Sequence, residues 1–416
     1  MVKIRLAALF LLLFGQLSSV FAVPQSNKPQ PQLTAEQWQQ DLQFLAKELP
    51  RRHKNAFHTV SRDQFEKSVA DLNARIPSLQ SHEIVVGLMR IVASVSDAHT
   101  ELSGFGDTFH RFPLNVYWFG SELRVTRIAA SYKRAAGARV VRIGGIDVKD
   151  VAARLDPLIP HENDYWMRLL EANFMPYAEI LNGVKLIPDL KTAQWTFEDA
   201  DGKEFSLDMA SVTRDQKIDW VAAANELPLY RQKPEEQFWF TYLADAQTIY
   251  VNFRGYRDEF AKHADELLSS IKENSAKRLV IDVRQNRGGD FTKVRGQLLP
   301  GLKQNPLLRK PGSLFVVTGR ATQSAAVVNT IDFRKEMNAM VVGEPTGGRP
   351  NGYSEHGDFK LPNSKLVVSY SSRYYKFQDQ DTPAVMPDKL IEPAWDSYRA
   401  GRDPVMDWIL SQPLPK

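Results

Sequence analysis

The chain has 416 residues, 43% of them hydrophobic and 25% charged, with a formal net charge of +4 and no cysteine. That is ordinary globular usage, with room for two or three packed units. The absence of thiols excludes disulfides, thiolate catalysis and cysteine-ligated metals, and the near-balanced charge gives no support for nucleic-acid binding, which needs a concentrated basic face.

The chain opens on "MVKIRLAALFLLLFGQLSSVFAVPQ". Lys3 and Arg5 make a positive start, Leu6 to Phe14 an unbroken apolar core, and Val20-Phe21-Ala22 a small-x-small-like cleavage site. This pattern predicts a secretory signal peptide over residues 1–22, because the apolar core is too short to span a bilayer. Its removal takes away two positive charges and leaves no integral membrane span. The expected location is across the inner membrane, in a periplasm. Residues 23–33, rich in Pro and Gln, read as a short tether.

Residues 34–110 read as a helical unit. "TAEQWQQDLQFLAKELP" starts with a Thr cap and repeats apolar residues at Trp38, Leu42, Leu45 and Leu49, one face of a helix. "SRDQFEKSVADLNARIP" and "SHEIVVGLMRIVASV" predict two more helices. Residues 111–235 read as a β-rich domain. "LNVYWF", "LRVTRIA" and "ARVVRIGGIDVKDVAARL" predict short strands, then a turn at Gly144-Gly145 and a helix, and "LKTAQWTFEDADGKEFSLDM" predicts a hairpin turning at Asp201-Gly202.

Residues 236–416 read as an α/β core. The runs "TIYVNF", "RLVIDVR", "SLFVVTG" and "AMVVGE" alternate with the helical segments "EFAKHADELLSSIKEN" and "SAAVVNTIDFRKEMN", the second reading as amphipathic. Alternation of this kind predicts a largely parallel sheet with helical crossovers, whose ligands gather beyond the carboxyl ends of the strands. "DVRQNRGGD" and "TGRATQS" both stand at such ends. The aromatics of "QFWFTYL" (237–243) suit either an apolar pocket or a domain seam.

Each candidate functional residue has a bland reading beside a chemical one. In "LVIDVRQNRGGD", Asp282 and Arg284 read as a satisfied ion pair, and Gly288-Gly289 as a turn whose N–H groups suit a developing oxyanion. Ser324 stands where a helix begins, as an N-cap does. Yet Ala325 and Ala326 after it leave room for a substrate backbone, and the Ala325 N–H lies at the helix's positive end. A serine nucleophile needs a base at neutral pH. His99, in "SVSDAHTELSG", is a candidate beside Asp97 and Thr100.

Taken in order, "VSDAHTEL", "LVIDVRQNRGGD", "GRATQSAAVV" and "VVGEPTGGRPNGYSE" resemble the tail-specific (C-terminal-processing) protease family of serine peptidases, especially its tricorn-like branch. The resemblance spans roughly residues 34 to 412. It implies a crotonase-like protease core and a peptide or protein substrate, with no metal and no organic cofactor. By position it implies Ser324 as the nucleophile, His99 as the base and Glu355 as the acid that orients it, with Ala325 and Gly288 or Gly289 in the oxyanion hole. The other branch of the family uses a lysine base where this chain has Arg349. A guanidinium with a pKa above ~12 cannot act as a neutral base, so the histidine route must carry the chemistry. Where the tricorn enzyme has a relay serine before its base, this chain has Ala98, which leaves the His99–Glu355 link open: direct, through water, or through Thr100. The stretch "RVTRIAASYKRAAGARVVRIGGIDVKDVAARL" is loosely similar to a PDZ-like module, which adds a peptide to a strand edge. The alternative from another class is a non-catalytic binding protein for an apolar ligand or peptide, built on the same scaffold.

Overall fold

The computed structural model describes residues 33–415 other than Asn225 and Asp258. The expected leader, and the tether up to Gln32, lie outside the described residues. The first three helices are α1 (Ala35–Arg52), α2 (Arg62–Arg75) and α3 (Ser81–Ala93). Their starts follow from local chemistry: Thr34 and Ser61 each form a capping box with the glutamine three residues on, at Gln37 and Gln64. α3 is apolar around most of its circumference, which makes it the central helix of the unit.

After a short strand β1 (Leu102–Ser103), the chain builds an antiparallel sheet from β2 (Leu114–Phe119), β3 (Glu122–Ala129), β4 (Arg139–Ile143), β5 (Ile146–Asp147), β6 (Thr192–Glu198), β7 (Glu204–Ala210) and β8 (Trp220–Ala222). Its main path runs β2-β3-β4-β6-β7, with β5 paired to β4 and β8 to β3. The β6–β7 hairpin turns at Asp201-Gly202 as expected, and α4 (Val148–Leu155) follows the Gly144-Gly145 turn. Two helices inserted before β6 were not expected: α5 (Asp164–Phe174) and α6 (Ala178–Gly183). A cap was present for the first, since Asn163 Oδ1 accepts the Trp166 N–H at 3.0 Å. The same side chain donates from Nδ2 to the carbonyls of Thr346 and Gly347, at 3.2 and 3.0 Å, and so ties the middle region to the core.

The core sheet holds β9 (Phe238–Leu243), β10 (Thr248–Phe253), β11 (Arg278–Asp282), β12 (Leu314–Thr318), β13 (Met340–Gly343) and β16 (Lys389–Leu390), in the order β16-β13-β12-β11-β10-β9. Every pairing is parallel except β9 with β10. α7 (Phe260–Glu273), α8 (Leu299–Lys303) and α9 (Ala325–Met337) connect these strands, and α10 (Trp395–Arg399) and α11 (Pro404–Ser411) close the chain. Residues of β10, β11 and β12 are buried throughout, as strands covered on both faces must be. The aromatic run at 237–243 becomes edge strand β9, whose Phe238 and Trp239 pack into the clusters on opposite faces of the sheet.

α9 departs from the amphipathic pattern. Ten of its thirteen residues are buried, because Val385 and Phe377 cover the side turned away from the sheet. Its polar residues are satisfied internally: Tyr256 donates to Asn329 Oδ1 at 2.7 Å, and Arg295 pairs with Asp332 at 2.8 Å.

The last structural piece is the hairpin β14 (Asn351–Lys360) and β15 (Val367–Lys376), which pairs β15 with β1. It carries Phe359, Leu361, Leu366 and Val368 into the cluster formed by the three first helices and the middle sheet, so residues near position 40 and position 360 share one core. Asp41 of α1, fully buried, fixes the hairpin's turn by accepting the N–H groups of Asn363 at 2.8 Å and Ser364 at 2.7 Å. Asp41→Ala leaves those partly buried donors without their carboxylate and is expected to destabilise the chain by about 1–3 kcal/mol. Urea denaturation against the parent chain measures it.

Candidate active site

Ser324 occupies the N-cap position of α9, but its hydroxyl does not cap the helix. Its backbone lies at φ 53° and ψ −122°, a left-handed conformation that is strained for a residue with a side chain. The Ser324 N–H is taken by Gln323 Oε1 at 2.9 Å. Ser324 thus takes the position of a cap without its chemistry.

The turn after β11 packs straight onto this serine. Gly288 has φ +105°, and a Cβ there would lie 2.6 Å from the Ser324 Cβ and 3.2 Å from the Ala325 nitrogen. Only glycine fits. Asn286, fully buried, pins the turn: its Oδ1 accepts the Gly288 N–H at 2.9 Å, and its carbonyl accepts the Gln323 N–H at 3.0 Å. With the Gly288 N–H committed to Asn286, the candidate oxyanion donors narrow to the N–H groups of Gly289 and Ala325. The latter precedes the first intrahelical bond of α9. Asp282 and Arg284 follow the bland reading: the guanidinium reaches Asp282 and Asp403, both at 2.7 Å, as a structural bridge to the carboxyl-terminal segment.

A second loop, "GEPTGGR", closes over the first. The N–H groups of Gly347 and Gly348 bond to the Thr322 carbonyl at 3.0 and 3.2 Å. A Cβ at Gly347 would lie 2.1 Å from the Arg320 carbonyl oxygen, a backbone atom, so this approach also requires glycine. Arg349 turns its guanidinium to Asp381 at 2.9 Å.

A cleft of about 760 Å³ is lined by Ser324, Ala325, Gly288, Gly289, His99, Glu355 and their neighbours, so the residues singled out in the sequence meet around one space. His99 lies on the loop between α3 and β1. Its Nε2 stands 3.4 Å from Ser354 Oγ, and its backbone N–H donates to Asp97 Oδ1 at 2.8 Å. Glu355 is half-exposed, at φ 60°; its carboxylate accepts from the Tyr375 hydroxyl and pairs with Arg373 at 3.2 Å. Thr100, considered as a bridge to Glu355, gives its hydroxyl to Asp97 at 2.6 Å. One wall of the cleft is aromatic, with Phe291, Tyr375 and Phe377 in mutual contact.

Two residues of this cleft were missed in the sequence. Ser354 became visible only when β14 folded back against the His99 loop. Glu162, just before the Asn163 cap, accepts the Arg349 N–H at 3.2 Å. Burial pushes its carboxyl up to about 8, and the Asp97 charge adds to that. It therefore keeps its proton to a higher pH than a free glutamate does. Among the described residues no cluster of His, Asp and Glu has the arrangement to hold a metal ion, and no helix is long and apolar enough to cross a membrane.

No protein-family model matches the chain, and no curated protein matches its sequence significantly. Solved structures do. CPAF complexed with lactacystin aligns over 90% of this chain and 97% of its own, at 12% identity and a TM-score of 0.63. Mature CPAF aligns over 90% and 96%, at 13% identity and a TM-score of 0.60. The tricorn protease is matched more loosely, over 90% of this chain and 36% of its own, at 14% identity and a TM-score of 0.41.

Glu162 gives a pH dependence of definite sign. Its folded value lies above the 4.5 of the free side chain, so between those values the folded state holds a proton that the unfolded state has lost. Stability must then fall as pH rises through that window. Glu162→Gln removes the effect. Denaturation midpoints of variant and parent are expected to diverge in the variant's favour from pH 5 to pH 8.

Proposed function

Because the chain carries the fold of CPAF, we propose that it is a serine peptidase of the tail-specific protease kind, hydrolysing a peptide or protein substrate. The observation that carries this reading is Ser324: a non-capping serine with a strained backbone at a helix N-terminus, pressed against Gly288 and sharing a cleft with His99.

In this mechanism Ser324 Oγ attacks the scissile carbonyl while His99 takes its proton and then delivers it to the leaving amine. The charge that develops on the carbonyl oxygen is met by the Ala325 and Gly289 N–H groups, at the positive end of α9. Glu355 acts as the acid behind the base. Ser354, the neighbour of Glu355 on β14, meets the His99 ring at Nε2 and is the residue through which we propose the two communicate. The aromatic wall suits an apolar substrate side chain. No metal or organic cofactor enters any step. The protease core is read as crotonase-like and the middle sheet as a PDZ-like module, of the kind that adds an extended peptide to a strand edge. The leader read in residues 1–22 supports a reaction outside the cytosol, and a periplasm is the compartment proposed.

Ser324→Ala is expected to abolish peptide hydrolysis, and His99→Ala to lower kcat by at least about 100-fold, the low end of what a general base supplies. Initial rates on a mixed, fluorescence-quenched peptide library measure both. Undiminished hydrolysis by Ser324→Ala rejects the peptidase reading, and a chain that cleaves no peptide but retains a co-purifying lipid supports the carrier instead.

A further inference from the structure

The peptidase reading gives His99 a task but not a fixed position, and a base that is misplaced by an ångström loses much of its effect. Nothing so far explains why the loop carrying it begins with a buried acid. The Asp97 side chain is 1% exposed and takes four hydrogen bonds from four different residues. His53 Nε2 lies 2.6 Å from Oδ2, and the Thr100 hydroxyl donates to the same oxygen at 2.6 Å. The Ser371 hydroxyl and the His99 N–H donate to Oδ1, each at 2.8 Å. These contacts fill the acceptor capacity of a carboxylate. A turn that needed only a cap would not require a buried charge, whose desolvation costs several kcal/mol on the order-of-magnitude scale of buried ions.

His53, fully buried at the side chain, is oriented as closely. Its Nδ1 accepts the Asn55 N–H at 2.9 Å, which puts the proton of the neutral ring on Nε2, pointing at Asp97. The ring also lies 5.4 Å from the Tyr353 ring, and Asn55 Nδ2 donates to the Tyr353 hydroxyl at 3.2 Å. Tyr353 precedes Ser354, the residue in contact with His99 Nε2. One imidazole at the carboxyl end of α1 therefore touches both supports of the base: the carboxylate that holds its backbone and the strand that meets its ring.

We propose that Asp97, oriented by His53, is a positioning residue for the base: the buried His53–Asp97 pair sets the turn that presents His99 to Ser324. The pair acts through His99 and does not touch substrate. It rests on the peptidase reading for its purpose, but its existence is a separate matter that can be read without any activity.

The test uses the full chain. Asp97→Asn presents an amide N–H to the His53 N–H, donor against donor, while retaining an oxygen for His99. His53→Phe keeps a ring beside Tyr353 and removes the donor, and His53→Gln restores a donor without the ring. On a peptide cleaved by the parent, Asp97→Asn and His53→Phe are expected to lower kcat about 10- to 100-fold with KM within about twofold, the pattern of a displaced group rather than of lost binding. His53→Gln is expected to recover most of the loss. Values of kcat within about twofold of the parent in folded Asp97→Asn and His53→Phe overturn the proposal. Should those variants fail to fold, the parent decides: nitrogen-resolved NMR is expected to show His53 protonated at Nε2, with its proton far downfield and slow to exchange. A His53 ring protonated at Nδ1 alone overturns the pair. A parent chain that cleaves no peptide counts against the peptidase reading, and the His53 spectrum still reads the pair by itself.

Discussion

The site depends on one close approach, that of the Gly288 backbone to Ser324. Two neighbouring parallel strands, β11 and β12, end in loops that must pass within van der Waals contact, and the absence of one Cβ makes this passage possible. Much of the local architecture follows from it. Asn286 is spent on pinning both loops at once, the Gly347-Gly348 loop closes over the Thr322 carbonyl, and Ser324 is driven into a backbone conformation that its side chain disfavours. Strain of this kind, of the order of 1–3 kcal/mol, persists only where the surroundings over-determine it, and it concentrates at functional positions.

Around that contact several cations are held by carboxylates. Arg284 is bound by two aspartates, Arg349 by Asp381 and Arg373 by Glu355. Glu162, deepest among the cleft carboxyls, is pushed above the usual carboxylate range by burial, whereas Asp97 is held below it even though burial opposes this, because hydrogen bonds from His53, Thr100 and Ser371 outweigh it.

The sequence revealed those parts whose signal is local. Parallel core strands announced themselves as continuous apolar runs, α1 by its Thr34 cap and apolar spacing, and the β6–β7 hairpin by Asp201-Gly202. Arg349 was legible as unable to serve as a base from its chemistry alone. What escaped was set by distant partners. α9 reads as amphipathic because nothing near it in sequence tells of Val385 and Phe377 covering its outer side. α5 lay in a region dominated by strand patterns, and its Asn163 cap gave a signal too short to outweigh them. The contacts of Glu355 with Arg373 and Tyr375, and of Ser354 with His99, depend on the β14–β15 register and on that hairpin reaching the first helices. Neither dependence leaves a trace in local pattern, and the same holds for the contact of His53 with Asp97, 44 residues away in the chain.

The central claim is that Ser324 is made nucleophilic by the cleft around it. The most direct measurement is to treat the full chain with a fluorophosphonate probe and map the adduct by peptide mass spectrometry. The account predicts a single adduct on Ser324, formed far more slowly in His99→Ala. An adduct on other residues only, or none under conditions that label a reference serine hydrolase, contradicts it.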